Sequence, residues 1–186
     1  MKFERINKYP DAQLPERATT GSAGYDFFVA EDITVPPGEI VLVPTGVKAQ
    51  IDSGYWLELA VRSSTPRKLG LILANGIGIV DSDYYNNPDN EGHIMFQVYN
   101  IRSTPVNLYK GLRIGQGVFV RYGLTDDDNV ERIRTGGFGS TNQELSKVIN
   151  EVFNSASQYN TIPDSQLKEI FGNIKEREPR CNASST

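Results

Sequence analysis

Four polar islands interrupt a strand-rich sequence, and each carries groups suited to phosphate or water chemistry. Arg62-Ser63-Ser64-Thr65-Pro66-Arg67 combines guanidinium, hydroxyl and backbone N–H groups. Arginine forks onto phosphate oxygens and serine donates to them, although a plain polar loop has the same composition. Arg134-Thr135-Gly136-Gly137-Phe138-Gly139-Ser140-Thr141 sets one aromatic ring among glycines and hydroxyls, as a flexible lid over phosphates would. In Asn75-Gly76-Ile77-Gly78-Ile79-Val80-Asp81-Ser82-Asp83-Tyr84, small residues let backbone approach a ligand closely. Asp81 ends an apolar run there, where burial would tune its basicity; a hairpin with surface aspartates is the plainer alternative. In the fourth island, Ala23-Gly24-Tyr25-Asp26, an acid enters the apolar run Phe27-Phe28-Val29, and a turn aspartate explains it equally well.

The counts of other reactive residues narrow the chemistry. One cysteine and one histidine among 186 residues exclude a disulfide framework and a multi-Cys/His zinc site. A Ser-His-Asp or Cys-His system would have to converge on His93. No G-x-x-x-x-G-K-[ST] pattern occurs, so a P-loop is out. Carboxylates, arginines and a hard metal ion are left to carry any hydrolysis. Net charge of -4 and a pI near 5.1 give no basic footprint for a nucleic acid polymer. The N-terminus is polar and mixed in sign, and no stretch reaches the roughly 20 apolar residues of a membrane span. With the lone Cys181 suited to a reducing compartment, the expectation is a cytoplasmic protein.

The elements that must position these islands are short strands. Ile33 to Val35, Glu39 to Val47, Gly54 to Val61, Leu71 to Val80, Ile94 to Tyr99, Pro105 to Leu108 and Ile114 to Tyr122 recur at about ten-residue spacing, divided by turn residues. Pro44 marks an edge position or a bulge. Tyr55, Leu57 and Leu59 share one strand face, Gly111 and Arg113 sit in the turn before the last strand, and Asp126-Asp127-Asp128 reads as a solvated loop. An all-β sandwich or jelly roll is expected over 1–141. After Thr141 the period becomes helical: Leu145, Val148, Ile149, Val152 and Phe153, then Leu167, Ile170, Phe171 and Ile174. Residues 142–186 are thus expected to form a two-helix extension, its first helix opened by a Thr141/Glu144 capping box.

Taken in order, AGYDFF (23–28), RSST (62–65), NGIGIVDSDY (75–84), RIGQ (113–116) and RTGGFGST (134–141) resemble the five motifs of the trimeric dUTP pyrophosphatases, the dUTPases. The resemblance implies a jelly-roll protomer, a homotrimer with shared active sites, and Mg²⁺-assisted conversion of dUTP to dUMP and pyrophosphate. Such an activity limits uracil in DNA and supplies dUMP for dTMP synthesis. Carried onto this sequence, it makes Asp81 the general base for water attack on the α-phosphorus. Tyr84 would lie under the deoxyribose and exclude a 2′-hydroxyl, while Asn75 and the Ile79–Val80–Asp81 backbone would read uracil. Arg62, Ser63 and Ser64 would bind phosphate, with Ser63 near the leaving oxygen, and Gln116 would hold the phosphate and the water network. Asp26 would act on magnesium through water. From the arm 134–141, closing over a neighbour's pocket, Arg134 would contact the γ-phosphate, Phe138 would stack on uracil, and Gly139, Ser140 and Thr141 would close the site.

Two features depart from the family pattern. Tyr85 to Glu91 intervene where the third motif normally runs almost directly into Gly-x-Ile, a variant similar to some Gram-positive bacterial and phage members. His93 on that hairpin is expected to face solvent. The extension 142–186 exceeds the family's usual length, and its apolar stripes are expected to pack on the trimer or on a partner. Two rival functions follow. A dCTP deaminase would need a glutamate where this chain has Gln97, and glutamine is no base. A nucleotide-gated binder of a regulatory protein would use the inserted hairpin and the extra helices as contact surfaces.

Overall fold

Wherever β-branched and aromatic residues alternate with polar ones, the chain is extended. The computed structural model describes residues 1–132, 134 and 136. Among them the strands are β1 (Lys2–Arg5), β2 (Tyr25–Phe28), β3 (Ile33–Val35), β4 (Ile40–Pro44), β5 (Val47–Gln50), β6 (Tyr55–Val61), β7 (Leu71–Leu73), β8 (Gly78–Val80), β9 (Met95–Asn100), β10 (Val106–Leu108) and β11 (Arg113–Arg121). The principal sheet has the order β2-β11-β6-β8 and a second has the order β4-β9-β7. Two ribbons, β1-β5 and β10-β3, complete the antiparallel arrangement. No helix among the described residues is long and apolar enough to cross a membrane.

The core lies between the inward faces of these sheets, where Phe27, Leu57, Phe96, Val98, Leu108 and Ile114 are fully buried. The rings of Phe27 and Phe96 meet with centroids 5.6 Å apart. Two glycines of β11 make that possible. A Cβ at Gly115 would stand 2.1 Å from Cε1 of Phe96, and one at Gly117 would stand 2.7 Å from Cε2 of Phe27. Overpacking a filled core costs about 1–3 kcal/mol. Gly115→Ala is therefore expected to destabilise the fold by that order, seen as a lower urea unfolding midpoint, and an unchanged midpoint would refute the packing argument.

Several expectations change in detail. The run from Glu39 to Val47 breaks at Thr45-Gly46, where Gly46 takes φ of +73° and a Cβ would meet Tyr9 and Ala12 within 2.7 Å. β4 is an edge strand, consistent with Pro44 at its end. Leu71 to Val80 divides into β7 and β8 around a turn at Asn75-Gly76, with Gly76 at φ of +75°. The polar stretch after β6 folds into α1 (Thr65–Leu69), with Pro66 in its first turn. Gly70 closes it in the left-handed region, donating its N–H to the Pro66 carbonyl at 3.0 Å. Arg113 opens β11 rather than sitting in the turn before it. Asp126 to Asp128 are exposed, as expected. The proposed helices of 142–186, and with them Phe138, Gly139, Ser140 and Thr141, lie outside the described residues.

Candidate active site

A cavity of about 310 Å³ opens beside β8, walled by Asn75, Ile79, Val80, Asp81, Tyr84 and Arg134. Pairing with β6, Val80 opposite Leu57 and Gly78 opposite Leu59, sets its geometry. The alternation along β8 buries Val80 and turns Ile79 outward. Asp81 follows at the strand's end and caps a 3₁₀ turn over Ser82–Tyr84, whose last N–H returns to the Asp81 carbonyl at 3.2 Å. That turn folds the Tyr84 ring inward, so only 9% of the residue stays exposed. Its hydroxyl donates to the His93 carbonyl at 3.1 Å and accepts from Nδ2 of Asn90 at 2.8 Å. Burial pushes the phenol above its ordinary pKa, so the ring presents a neutral surface.

Asp81 is less buried than its place after an apolar run suggests: its side chain is 49% exposed, because it stands past the last paired residue of β8 at the cavity mouth. Arg134 lies over it. Nη2 donates to Oδ2 of Asp81 at 2.5 Å, Nε donates to Oδ1 of Asp83 at 2.8 Å, and the guanidinium sits 5.8 Å from the Tyr84 ring centre. In this structure Arg134 thus meets carboxylates of its own chain. Two acids two residues apart are a strong local attraction for a cation.

His93 corrects the expectation of solvent exposure. It is buried, its Nε2 accepts the Gly46 N–H at 2.9 Å, and its ring packs against Tyr9 at 5.5 Å. Spacing alone gave no sign of this, because the acceptor is needed by a turn 47 residues away. Burial, assisted by the Lys8 ammonium, lowers its pKa to about 4.

The other predicted residues form a second cluster, which does not line the cavity. On β11, Gln116 stands opposite Asp26 of β2 on one side and Ala60 of β6 on the other. A Cβ at Gly24 would lie 2.5 Å from Oε1 of Gln116, so the glycine lets that amide lie against the backbone. Asp26 is 6% exposed, with Arg62 Nε 3.4 Å from Oδ1 and Arg113 Nη1 3.4 Å from Oδ2. Ser63 and Ser64 follow Arg62 at the entrance to α1, with Ser63 exposed. Arg113 was missed as a site residue, although it heads the RIGQ stretch; only the β2–β11 register reveals its partner.

No group of three His, Cys, Asp or Glu side chains gathers as a metal ligand set among the described residues. Asp26 nevertheless offers an outer-sphere contact, since its buried Oδ2 accepts no hydrogen bond. A buried carboxylate oxygen of that kind fits a water held by Mg²⁺, which keeps several waters and relies on substrate phosphates for its remaining ligands.

Residues 10–142 match the dUTPase family. The chain belongs to that family. It is 50% identical over 143 residues to the deoxyuridine 5′-triphosphate nucleotidohydrolase of Lactococcus lactis, covering 75% of this chain and 95% of that one. The enzyme of the same name from Desulfitobacterium hafniense is 36% identical over 149 residues, covering 76% of this chain and 95% of that one. The crystal structure of a dUTPase from Streptococcus mutans superposes with a TM-score of 0.67 at 51% identity, covering 68% of this dUTPase and 99% of that chain. The dUTPase from phage phi11 of S. aureus shares the fold at 21% identity, with a TM-score of 0.59 over 73% of this chain and all of that one.

Proposed function

We propose that this dUTPase hydrolyses dUTP to dUMP and pyrophosphate, with Asp81 as the base. The observation that carries the mechanism is a half-exposed carboxylate at the mouth of a cavity floored by a buried, neutral tyrosine. Asp81 takes a proton from water as the water oxygen bonds to the α-phosphorus. The bridging bond to the β-phosphate breaks and pyrophosphate leaves with its electron pair. Gln116 positions the water and the phosphate, and Ser63 donates toward the departing oxygen. Such a reaction is mostly positioning and charge stabilisation, which Arg62, Ser64 and the turn's backbone N–H groups supply.

Asn75 and the Ile79–Val80–Asp81 backbone read the uracil edge, and Tyr84 closes the space below the sugar where a 2′-hydroxyl would project. Arg134 reaches the γ-phosphate by exchanging Asp81 for it, which frees the base as the substrate binds. Phe138, Gly139, Ser140 and Thr141 complete the lid. Asp26 would hold Mg²⁺ through a water, and the ion would supply charge neutralisation for the phosphates.

Because the Asp26–Arg62–Gln116 cluster and the Asp81–Tyr84 cavity are separate lining sets within one chain, we assemble the complete site in a homotrimer, where neighbouring subunits bring the two together. The lone Cys181 suits a cytoplasmic enzyme. Gln97 lines the cavity where a deaminase would need a carboxylate, and an amide accepts no proton at neutral pH. The inserted hairpin, a proposed contact surface in the regulatory-binder reading, makes several contacts within the chain. Lys48 donates to Asn86 at 2.6 Å, the Asn7 N–H donates to Glu91 at 3.2 Å, and Tyr85 donates to Glu4.

Incubation of the pure protein with dUTP, UTP, dTTP or dCTP and Mg²⁺ tests the assignment. Pyrophosphate is expected from dUTP alone. Binding of nucleotides without turnover would refute it in favour of the binder.

A further inference from the structure

We infer that the inserted segment sets the enzyme's discrimination between deoxyribose and ribose through Asn90, a positioning residue that holds the Tyr84 ring. The inference rests on the reading that Tyr84 lies beneath the sugar. Asn90 is joined to that ring by a direct bond, Nδ2 to the Tyr84 hydroxyl at 2.8 Å, while the hydroxyl donates its own proton to the His93 carbonyl at 3.1 Å. A phenol oxygen engaged as acceptor on one side and donor on the other cannot tilt without straining both bonds.

The amide of Asn90 is itself held from behind. Its Oδ1 accepts from Nδ2 of Asn87 at 2.8 Å and from the Gly92 N–H at 3.0 Å. Asn87 is 6% exposed and ties the loop together: its Oδ1 accepts the N–H groups of Asp89 and Asn90, and its Nδ2 also donates to the Tyr84 carbonyl at 2.9 Å. Tyr84 is therefore gripped at its hydroxyl by Asn90 and at its backbone by Asn87. At the loop's exit, Gly92 takes φ of +83°, and a Cβ there would lie 2.6 Å from the Tyr84 carbonyl oxygen.

The loop has a rigid footing. Asn86 and Glu91 both adopt left-handed backbone, at φ of 57° and 61°, and Glu91 does so without the local affinity of asparagine for that region. Its carboxylate receives the Asn7 N–H at 3.2 Å and faces the Lys48 ammonium at 3.6 Å, so the strained residue is anchored on the N-terminal ribbon. Rigidity of this kind serves discrimination. Rejecting one hydroxyl requires a wall that does not yield, and a ring free to tilt would admit it.

The test is a double-mutant cycle on the ratio of kcat/KM for dUTP to that for UTP, with Asn90→Ala, Tyr84→Phe and the double variant. Asn90→Ala is expected to lower the ratio roughly tenfold, as loss of one buried hydrogen bond would, with the gain for UTP appearing mostly in KM. In the Tyr84→Phe background the same change is expected to move the ratio by less than about twofold, since the hydroxyl it acts through is gone. Asn90→Asp covers the case in which the alanine variant fails to fold. It keeps the Oδ1 acceptor for Gly92 and Asn87, but leaves the Tyr84 proton shared between two acceptors, and the ratio is again expected to fall. An unchanged ratio in folded Asn90 variants, or an equal fall with Phe at position 84, would overturn the inference alone. A wild-type enzyme that turned over dUTP and UTP equally would overturn the sugar-site reading, and this inference with it.

Discussion

Asp81→Asn is expected to lower kcat for dUTP by about 10²- to 10⁴-fold, the range over which a positioned general base acts. The size of the effect follows from the small number of groups able to do this work. His93 is committed to the Gly46 N–H, and Asp81 is the one carboxylate among the described residues that line the cavity. Asparagine keeps the shape of the side chain and an oxygen that accepts from Arg134, so the cavity stays intact. The amide does not take a proton from water. Nucleotide affinity, read by calorimetry with dUTP, is therefore expected to change far less than turnover. An Asp81→Asn enzyme with kcat within threefold of wild type would move the base elsewhere (about 0.65 kcal/mol separates the two barriers in that case).

The second large effect concerns acid stability. His93 titrates near 4 in the folded protein against an ordinary value of 6.5, because burial and the Lys8 ammonium oppose its charge more than Glu31 and Glu91 favour it. Between those two pH values the unfolded chain binds a proton at His93 that the folded chain does not, so stability rises with pH. Its contribution is whole above pH 6.5 and is lost as pH falls toward 4, by up to about 3 kcal/mol. His93→Gln retains an oxygen able to meet the Gly46 N–H and does not titrate. Urea unfolding midpoints measured from pH 4 to 7 are expected to converge for the two proteins at the acid end, the wild type losing its advantage there. Parallel curves would show that His93 is not the group responsible.

Much of the fold was legible because a period of two is a local property. Leu57 and Leu59 alternate toward the core, and the turn residues Pro36-Pro37-Gly38 separate β3 from β4, whereas the turn at Asn75-Gly76 was read through as one strand. What escaped notice depends on partners far along the chain. Lys2 to Arg5 reads as a polar terminus, yet it pairs with Val47 to Gln50 as β1 and β5. The short helix α1 was hidden by its hydroxyls and Pro66, which suit a first helical turn as well as a loop. At the site, glycines and acids in one continuous stretch revealed Asn75 to Tyr84 as a unit. Arg113 on Asp26, Asn90 on Tyr84 and His93 beneath Gly46 are meetings made by strand register and by an inserted loop. No periodicity encodes them.

The long central strand β11 has a consequence for how the molecule comes into being. It pairs with β2 and β6 at once, joining Gln116 to Asp26 across 90 positions of chain. Contacts so distant in sequence pay their loop-closure entropy before they return any stability, which makes folding slow for a protein of this size. During synthesis, at about 5–20 residues per second, every other strand among the described residues leaves the ribosome before β11 does. Phe27, Leu57 and Phe96 then wait on the nascent chain for the two glycines that accommodate them. Arg62, Arg113 and Asp26 come together in the same closing step. A ribosome stalled just short of Arg113 therefore carries most of the described strands without the partner that closes on Asp26.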